Sequence, residues 1–265
     1  MTAFEQTRLR LSMPRRPQPA STAATRPQSQ DAQLWALATQ RARLGSRYIP
    51  GLAEVVEKIG PCLTHGDIAV YFATRITPDS RGEPMARTVE SVGRRAETAF
   101  EPLVRHAHGL LDMVENALAS ADPLLGPAPG AVQRSMQRTV DGIRCVGFNS
   151  ARRTAGLDLE FSVWVAAEQG HVVRVDFRGI NLRDAATPSR ISSVYGMRRY
   201  EIDANGRCVL RCQTDRLTFI TDDPALPATG YAERTSSFSE HWEQPRPLDL
   251  ADAPDSGPTL LESAG

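Results

Sequence analysis

His106 and His108, in the segment RHAH, are side chains that can bind a metal or carry a proton. They stand two apart in a stretch of helical periodicity, so they leave the helix on different faces and cannot share an ion. Solvated helix histidines are expected. His65 follows Cys62 by three residues, in a turn before Gly66 and Asp67. A Cys–His nucleophile needs the pair in hydrogen-bond reach, and two ligands are too few for zinc. A loop histidine and a buried thiol are expected there. The other thiols are Cys145, Cys208 and Cys212, and no two cysteines have CxxC spacing. Cys208 and Cys212 stand four apart on one strand face, about 13 Å at strand rise, too far for a disulfide. Reduced thiols fit a reducing compartment. His171, Asp176 and Glu160 offer an acid and a base. Yet strand register puts both carboxylates beside arginines on a non-core face, as ordinary cross-strand pairs. No phosphate-binding glycine loop, zinc spacing, serine elbow or dinucleotide fingerprint occurs. The expectation is no catalytic residue, no metal and no cofactor.

Charge adds little pull toward a partner. Acids and bases balance at 31 each in 265 residues. Such a chain has no long-range attraction for nucleic acid or an anionic membrane. Lys58 is the single lysine, and every other base is arginine. GC-rich bacterial coding accounts for that bias; delivery into a host cell, where lysines invite modification, is the sharper alternative. Residues 226–230 spell LPATG, a wall-sorting motif. An apolar span and a basic tail should follow it, but the chain continues polar and ends acidic. The start has no apolar signal core, and no run reaches membrane-spanning length. A chance match in a turn is expected. Residues 1–30 carry five arginines against Glu5 alone. That composition predicts a disordered arm, with a non-cleaved export signal or an organellar presequence as alternatives. An acidic disordered tail is expected over 244–265.

Between the arms, 31–243 reads as a single α+β domain, with N-terminal helices packed on a C-terminal antiparallel meander. A mainly helical half with one strand is expected over 31–142. Asp31 can cap a helix in which Leu34, Leu37, Ala38 and Leu44 form a stripe and Gly45 stops it. Leu52, Val55, Val56 and Ile59 predict a second helix between Pro50 and Gly60. Ile68, Val70, Phe72 and Ile76 alternate as a strand. Residues 84–119 read as a helix kinked or restarted at Pro102. A loop follows, then a short helix over 131–142 with Val132, Met136 and Val140 on one side.

From Ile143 the period is two. Leu159, Phe161, Val163 and Val165 share one face, and Val173, Val175 and Phe177 share another. A two-residue turn would put one set in water, because slipping one residue reverses a strand's faces. The three-residue loop Glu168 to Gly170 gives the right parity, with Gly170 left-handed. It pairs Phe161 with Phe177 and Val163 with Val175, and outside it sets Glu160 opposite Arg178 and Trp164 opposite Arg174. By the same reasoning a loop at Ala204 to Gly206 pairs Ile202 with Cys208 and Tyr200 with Leu210, and sets Asp203 beside Arg207. RLTFIT makes a last strand. One buried face on five or six strands is enough to hold the fold, at about 25 cal/mol per Å² of apolar area.

The order helix, helix, strand, helix, then strands is similar to that of cone-shaped NTF2-like folds, a resemblance that implies an apolar cup. The non-core face of the meander carries Trp164, Arg174, Arg178, Arg199 and Arg211, residue types that anchor protein interfaces. A nucleic-acid platform would need more aromatics there. The expected function is a non-catalytic binding or adaptor protein with a protein partner. Its expected place is the cytoplasm, or outside through a specialised secretion system without a cleaved signal. The alternative is a small-molecule-binding protein or enzyme with an apolar cup between sheet and helices.

Overall fold

The computed structural model describes residues 30–61, 68–79, 84–93, 101–124, 133–154, 157–180 and 189–243. The expected arms, Cys62 and His65 lie outside the described residues. Helix α1 spans Gln30–Gly45 and α2 spans Glu101–Ala121. Between and after them run β1 (Tyr48–Ile49), β2 (Leu52–Gly60), β3 (Ile68–Pro78), β4 (Pro84–Gly93), β5 (Gln133–Val140), β6 (Ile143–Arg153) and β7 (Asp158–Ala166). Then come β8 (Val172–Ile180), β9 (Ser189–Ile202), β10 (Cys208–Thr221), β11 (Thr229–Ser239) and β12 (Trp242–Glu243). The chain is mostly β with two described helices, so α+β holds coarsely and the mainly helical first half does not.

One antiparallel sheet has the order β4-β3-β2-β11-β10-β9-β8-β7-β6-β5, and β1 pairs separately with β12. Every neighbour in the large sheet is consecutive in sequence except β2 with β11. Both helices cover one face: α1 lies against β7, β8 and β10, and α2 against β2 and β11. In α2 the buried residues Leu103, Ala107, Leu110, Leu111, Val114, Leu118 and Ala121 step by threes and fours, as an amphipathic helix requires. Pro102 sits in its first turn, where a missing amide costs nothing. In α1 the buried residues are Ala38, Ala42 and Gly45, while the expected stripe members Leu37 and Leu44 are exposed.

The hairpin parities hold. Phe161 faces Phe177 and Val163 faces Val175, all within the main core, and outside Glu160 faces Arg178 and Trp164 faces Arg174. At the two tips Gly170 and Gly206 take φ of +63° and +75°, the left-handed conformation that a side chain disfavours. Tyr200 faces Leu210 and Ile202 faces Cys208. Two bulges refine this register. One lies between Trp164 and Val165, so that Val172 joins the main core and Val173 joins a small outer cluster with Trp164, Cys145, Ala166 and Val140. The other lies between Leu210 and Cys212 and brings Cys212 opposite Arg199. Cys208 and Cys212 therefore do not share a face.

Three expected helices are strands. Residues 52–60 form β2, whose inward row is Ala53, Val55, Glu57 and Ile59. Residues 84–93 form β4 and 133–140 form β5, the two edges of the sheet, and the described helical part of this stretch is Glu101–Ala121. Among the described residues the NTF2-like element order is therefore not present. The LPATG segment folds as the turn into β11, with Thr229 and Gly230 paired to Ile220 and Phe219. No described helix is long and apolar enough to cross a membrane.

Candidate functional site

The helix-covered face meets a cavity of about 290 Å³ where α1 ends. Gly45 closes α1 so near β10 that a Cβ there would stand 1.7 Å from the Cys208 carbonyl oxygen. The helix stops, and the chain turns away through Tyr48 and Pro50 to make one wall. The segment after α2 makes a second wall with Asp122 and Leu124, tied to α1 by Arg43 Nε donating to the Leu124 carbonyl at 3.3 Å. Arg198 and Tyr200 of β9, Cys208 and Leu210 of β10, Phe238 and His241 complete it. At the rim the Arg207 guanidinium lies 4.2 Å from the Tyr48 ring centre and donates to Asp203 at 2.5 Å.

The lining is chiefly apolar with one ion pair. Arg198 Nη1 donates to Asp122 Oδ2 at 2.7 Å, and the Leu124 amide donates to Asp122 Oδ1 at 2.8 Å. The two side chains are 14% and 5% exposed. The Arg198 Nε–H is buried without an acceptor among the described residues. Burial, with Asp122 adding, raises the Tyr200 hydroxyl well above the usual tyrosine range, and burial pushes the Cys208 thiol up to about 11. Both therefore stay protonated. His241 Nε2 lies 2.9 Å from the Leu210 carbonyl, which can only accept, so Nε2 carries the hydrogen. Burial lowers its pKa, leaving neutral imidazole with Nδ1 as an acceptor.

The ion pair is one end of a polar strip on the same face. Asp215, 1% exposed, accepts from Gln213 Nε2 at 2.6 Å, and burial pushes its carboxyl up to about 6. Beyond it Arg234 Nε donates to Glu57 at 2.7 Å and its Nη1 to Glu115 at 2.8 Å. His108 Nε2 reaches the other Glu57 oxygen at 2.8 Å. So His108 is not a solvated helix histidine: it ties α2 to β2. His106 packs edge-on against Phe219, with ring centres 5.2 Å apart. Among the described residues no cluster of three metal-ligating side chains occurs.

The outer-face residues expected at a docking surface sit where the register puts them, but engaged with their own sheet. Trp164 is 5% exposed, with Arg138 3.7 Å above its ring and its indole N–H donated to Asp176 at 2.9 Å. Arg174 donates to Asp176 at 2.6 Å, and Arg178 pairs with Glu160 at 2.5 Å. Arg199 pairs with Asp141 and Glu201, and Arg211 donates to Glu201 at 3.1 Å. His171 is buried and bonded to neither Asp176 nor Glu160. A hollow of about 610 Å³ over β6–β8 has Asn149, Ser162, Asp176, Glu160 and Arg178 on its walls. It is wider than the inner cavity; Ser162 donates to Asn149 and Arg178 to Glu160, while the Ser150 Oγ is buried without a partner among the described residues.

No family model matches this sequence, and no curated protein matches it. Among solved structures the chain is similar to the crystal structure of a DUF1329 family protein from Desulfovibrio piger, at 9% identity and a TM-score of 0.33. The match covers 82% of this chain and 94% of that one.

Proposed function

We propose that this protein binds a small, largely apolar molecule in the cavity at the end of α1, without chemistry of its own. The observation that supports the reading best is a cavity of about 290 Å³ walled by Leu124, Leu210, Phe238 and Ala42, with a single buried ion pair. Small-molecule sites have this make-up: an apolar lining and a few placed polar groups. A non-catalytic role fits the protonation states. The Cys208 thiol is held protonated and is no nucleophile, and Asp122 is engaged at both oxygens. A protein-docking role on the outer face has less support, since its Trp164 is covered and its arginines are paired within the sheet.

Fluorescence titration with N-phenylnaphthylamine, an uncharged apolar dye, tests the reading. The full chain should bind one equivalent with enhanced emission. Leu210→Trp fills the cavity and should abolish that signal while the thermal unfolding midpoint holds. No binding to the parent chain, or equal binding to the filled variant, would remove the proposal.

A further inference from the structure

The ten-stranded sheet has no further strand beyond β4 or β5 among the described residues, yet the charges on these two edges differ. On β5, Arg134 pairs with Asp31 at 3.2 Å, and Arg138 pairs with Asp176 at 3.4 Å and lies over the Trp164 ring. On β4, Arg87 and Glu90 are exposed and make no ion pair among the described residues. Arg87 stands opposite Arg75, a like charge already held by Glu240 at 2.6 Å, and Glu90 stands opposite Ala73. The strand therefore carries one cation and one anion that its own sheet does not use. An open strand edge is a template for another strand. Met85 and Val89 add apolar side chains there, 57% and 53% exposed.

The spacing of the two charges matters. Residues three apart in a regular strand point to opposite faces. Here β4 carries an extra residue: Thr88 pairs with Thr74 and Glu90 with Ala73, leaving Val89 over. Arg75 and Ala73 are two apart on β3, so their partners Arg87 and Glu90 share one face. Lay a second copy of β4 antiparallel, about a two-fold axis between Thr88 and Val89. Each Arg87 then comes opposite Glu90 of the other copy, on the same face. A bulge throws an ordinary partner strand out of step. Here both strands carry the same extra residue at the same place and stay in step. Symmetric registers centred on Arg87 or on Glu90 set like charges opposite each other and are disfavoured.

We infer that β4 is a homodimer interface: it pairs antiparallel with β4 of a second copy through two Arg87–Glu90 pairs, joining two ten-stranded sheets edge to edge. Backbone hydrogen bonds hold the strands and the charge pairs fix the register. The contact is isologous, so it closes at two copies. It is one strand wide, which places it among the small, weak interfaces.

Sedimentation equilibrium of the full chain, from micromolar to near-millimolar concentration, tests this. The parent chain should show a monomer–dimer equilibrium. A monomer throughout, or assembly beyond the dimer, overturns the inference. Glu90→Arg alone and Arg87→Glu alone each put two like-charge pairs into the contact and should weaken the dimer at least ~10-fold. Arg87→Glu combined with Glu90→Arg exchanges the charges and should return the dimer to within about 3-fold of the parent. Single variants that associate as tightly as the parent place the contact elsewhere, and a double variant no tighter than the singles denies the register; either result overturns the inference. Hydrogen exchange of the unaltered chain adds a test that no misfolded variant can spoil. Protection of β4 amides should rise with protein concentration while that of β5 amides does not. Protection in β4 that is independent of concentration overturns the inference as well.

Discussion

Asp215 shows what a single buried charge costs here. It is 1% exposed, takes one hydrogen bond from Gln213, and leaves Oδ1 without a partner among the described residues. Burial lifts its carboxyl from the ordinary 3.8 to about 6. The folded chain then holds a proton that the unfolded chain has released between those values, so stability falls as pH rises through that window. The loss is complete at neutral pH. Asp215→Asn keeps an oxygen for Gln213 and removes the charge, and it should stabilise the neutral-pH fold by about 1–3 kcal/mol, one pKa unit being worth about 1.4. In urea unfolding the gain should vanish below the ordinary carboxylate value. A variant less stable than the parent at neutral pH, or a gain that persists in acid, would show that Asp215 is ionised and compensated.

At the scale of elements, α2 is held on the sheet by apolar packing and by a clamp: His108 and Arg234 on Glu57, with Glu115 and Asp112 closing on Arg234. Burial pushes the Glu57 carboxyl upward, but hydrogen bonds and charge from His108 and Arg234 outweigh it, and its pKa falls below 4.5. The hydrogen bond to Glu57 raises His108 above 6.5 against the opposing effect of burial. The Glu57 contribution is present above its unfolded value and lost as pH falls through the folded one. The His108 contribution is full below its unfolded value and lost as pH rises through the folded one. The clamp is thus complete between pH 4.5 and 6.5. Thermal unfolding of the parent chain and His108→Gln should differ most in that window and converge at alkaline pH; a constant difference would deny the charged pair. The same glutamate explains why β2 does not read as a strand. Its inward row Ala53, Val55, Glu57, Ile59 alternates, but the buried acid breaks the apolar pattern, and Leu52, Val55, Val56 and Ile59 then mimic a helical stripe. The edge strands β4 and β5 hid for the opposite reason. Every described side chain of β4 is exposed, and of β5 all but Val140, so neither carries a one-face apolar row. The hairpins of β7–β8 and β9–β10 were legible because one face is buried and parity alone fixes their register. The cavity was not legible, because Asp122 and Arg198 are joined only by the fold and Asp122 reads as a loop residue.

For the whole molecule, topology divides the sheet into parts of unequal strength. From β5 to β11 each strand pairs with its sequence neighbour, so the meander can form by adding hairpins one at a time. β2 is different: it joins by pairing Val55 with Ser236 and Ile59 with Ala232, closing a loop of most of the described chain. β3 and β4 hang on β2 and on nothing else in the sheet. β4 buries none of its described side chains, and Met85 and Val89 are more than half exposed. With little apolar area to hold it and a large closure entropy against it, the unit β2–β4 should open without the meander. Native-state hydrogen exchange should then give β3 and β4 amides lower protection than those of β7, β8 and β9, with β2 between them because Glu57 and Ile59 lie under α2. His108→Gln should lower protection in β2–β4 and leave β7–β9 unchanged at pH 5 to 6, where the clamp is complete. Uniform protection across all ten strands would mean that the sheet opens only as one body, and that the long-range β2–β11 seam is as strong as the hairpins beside it.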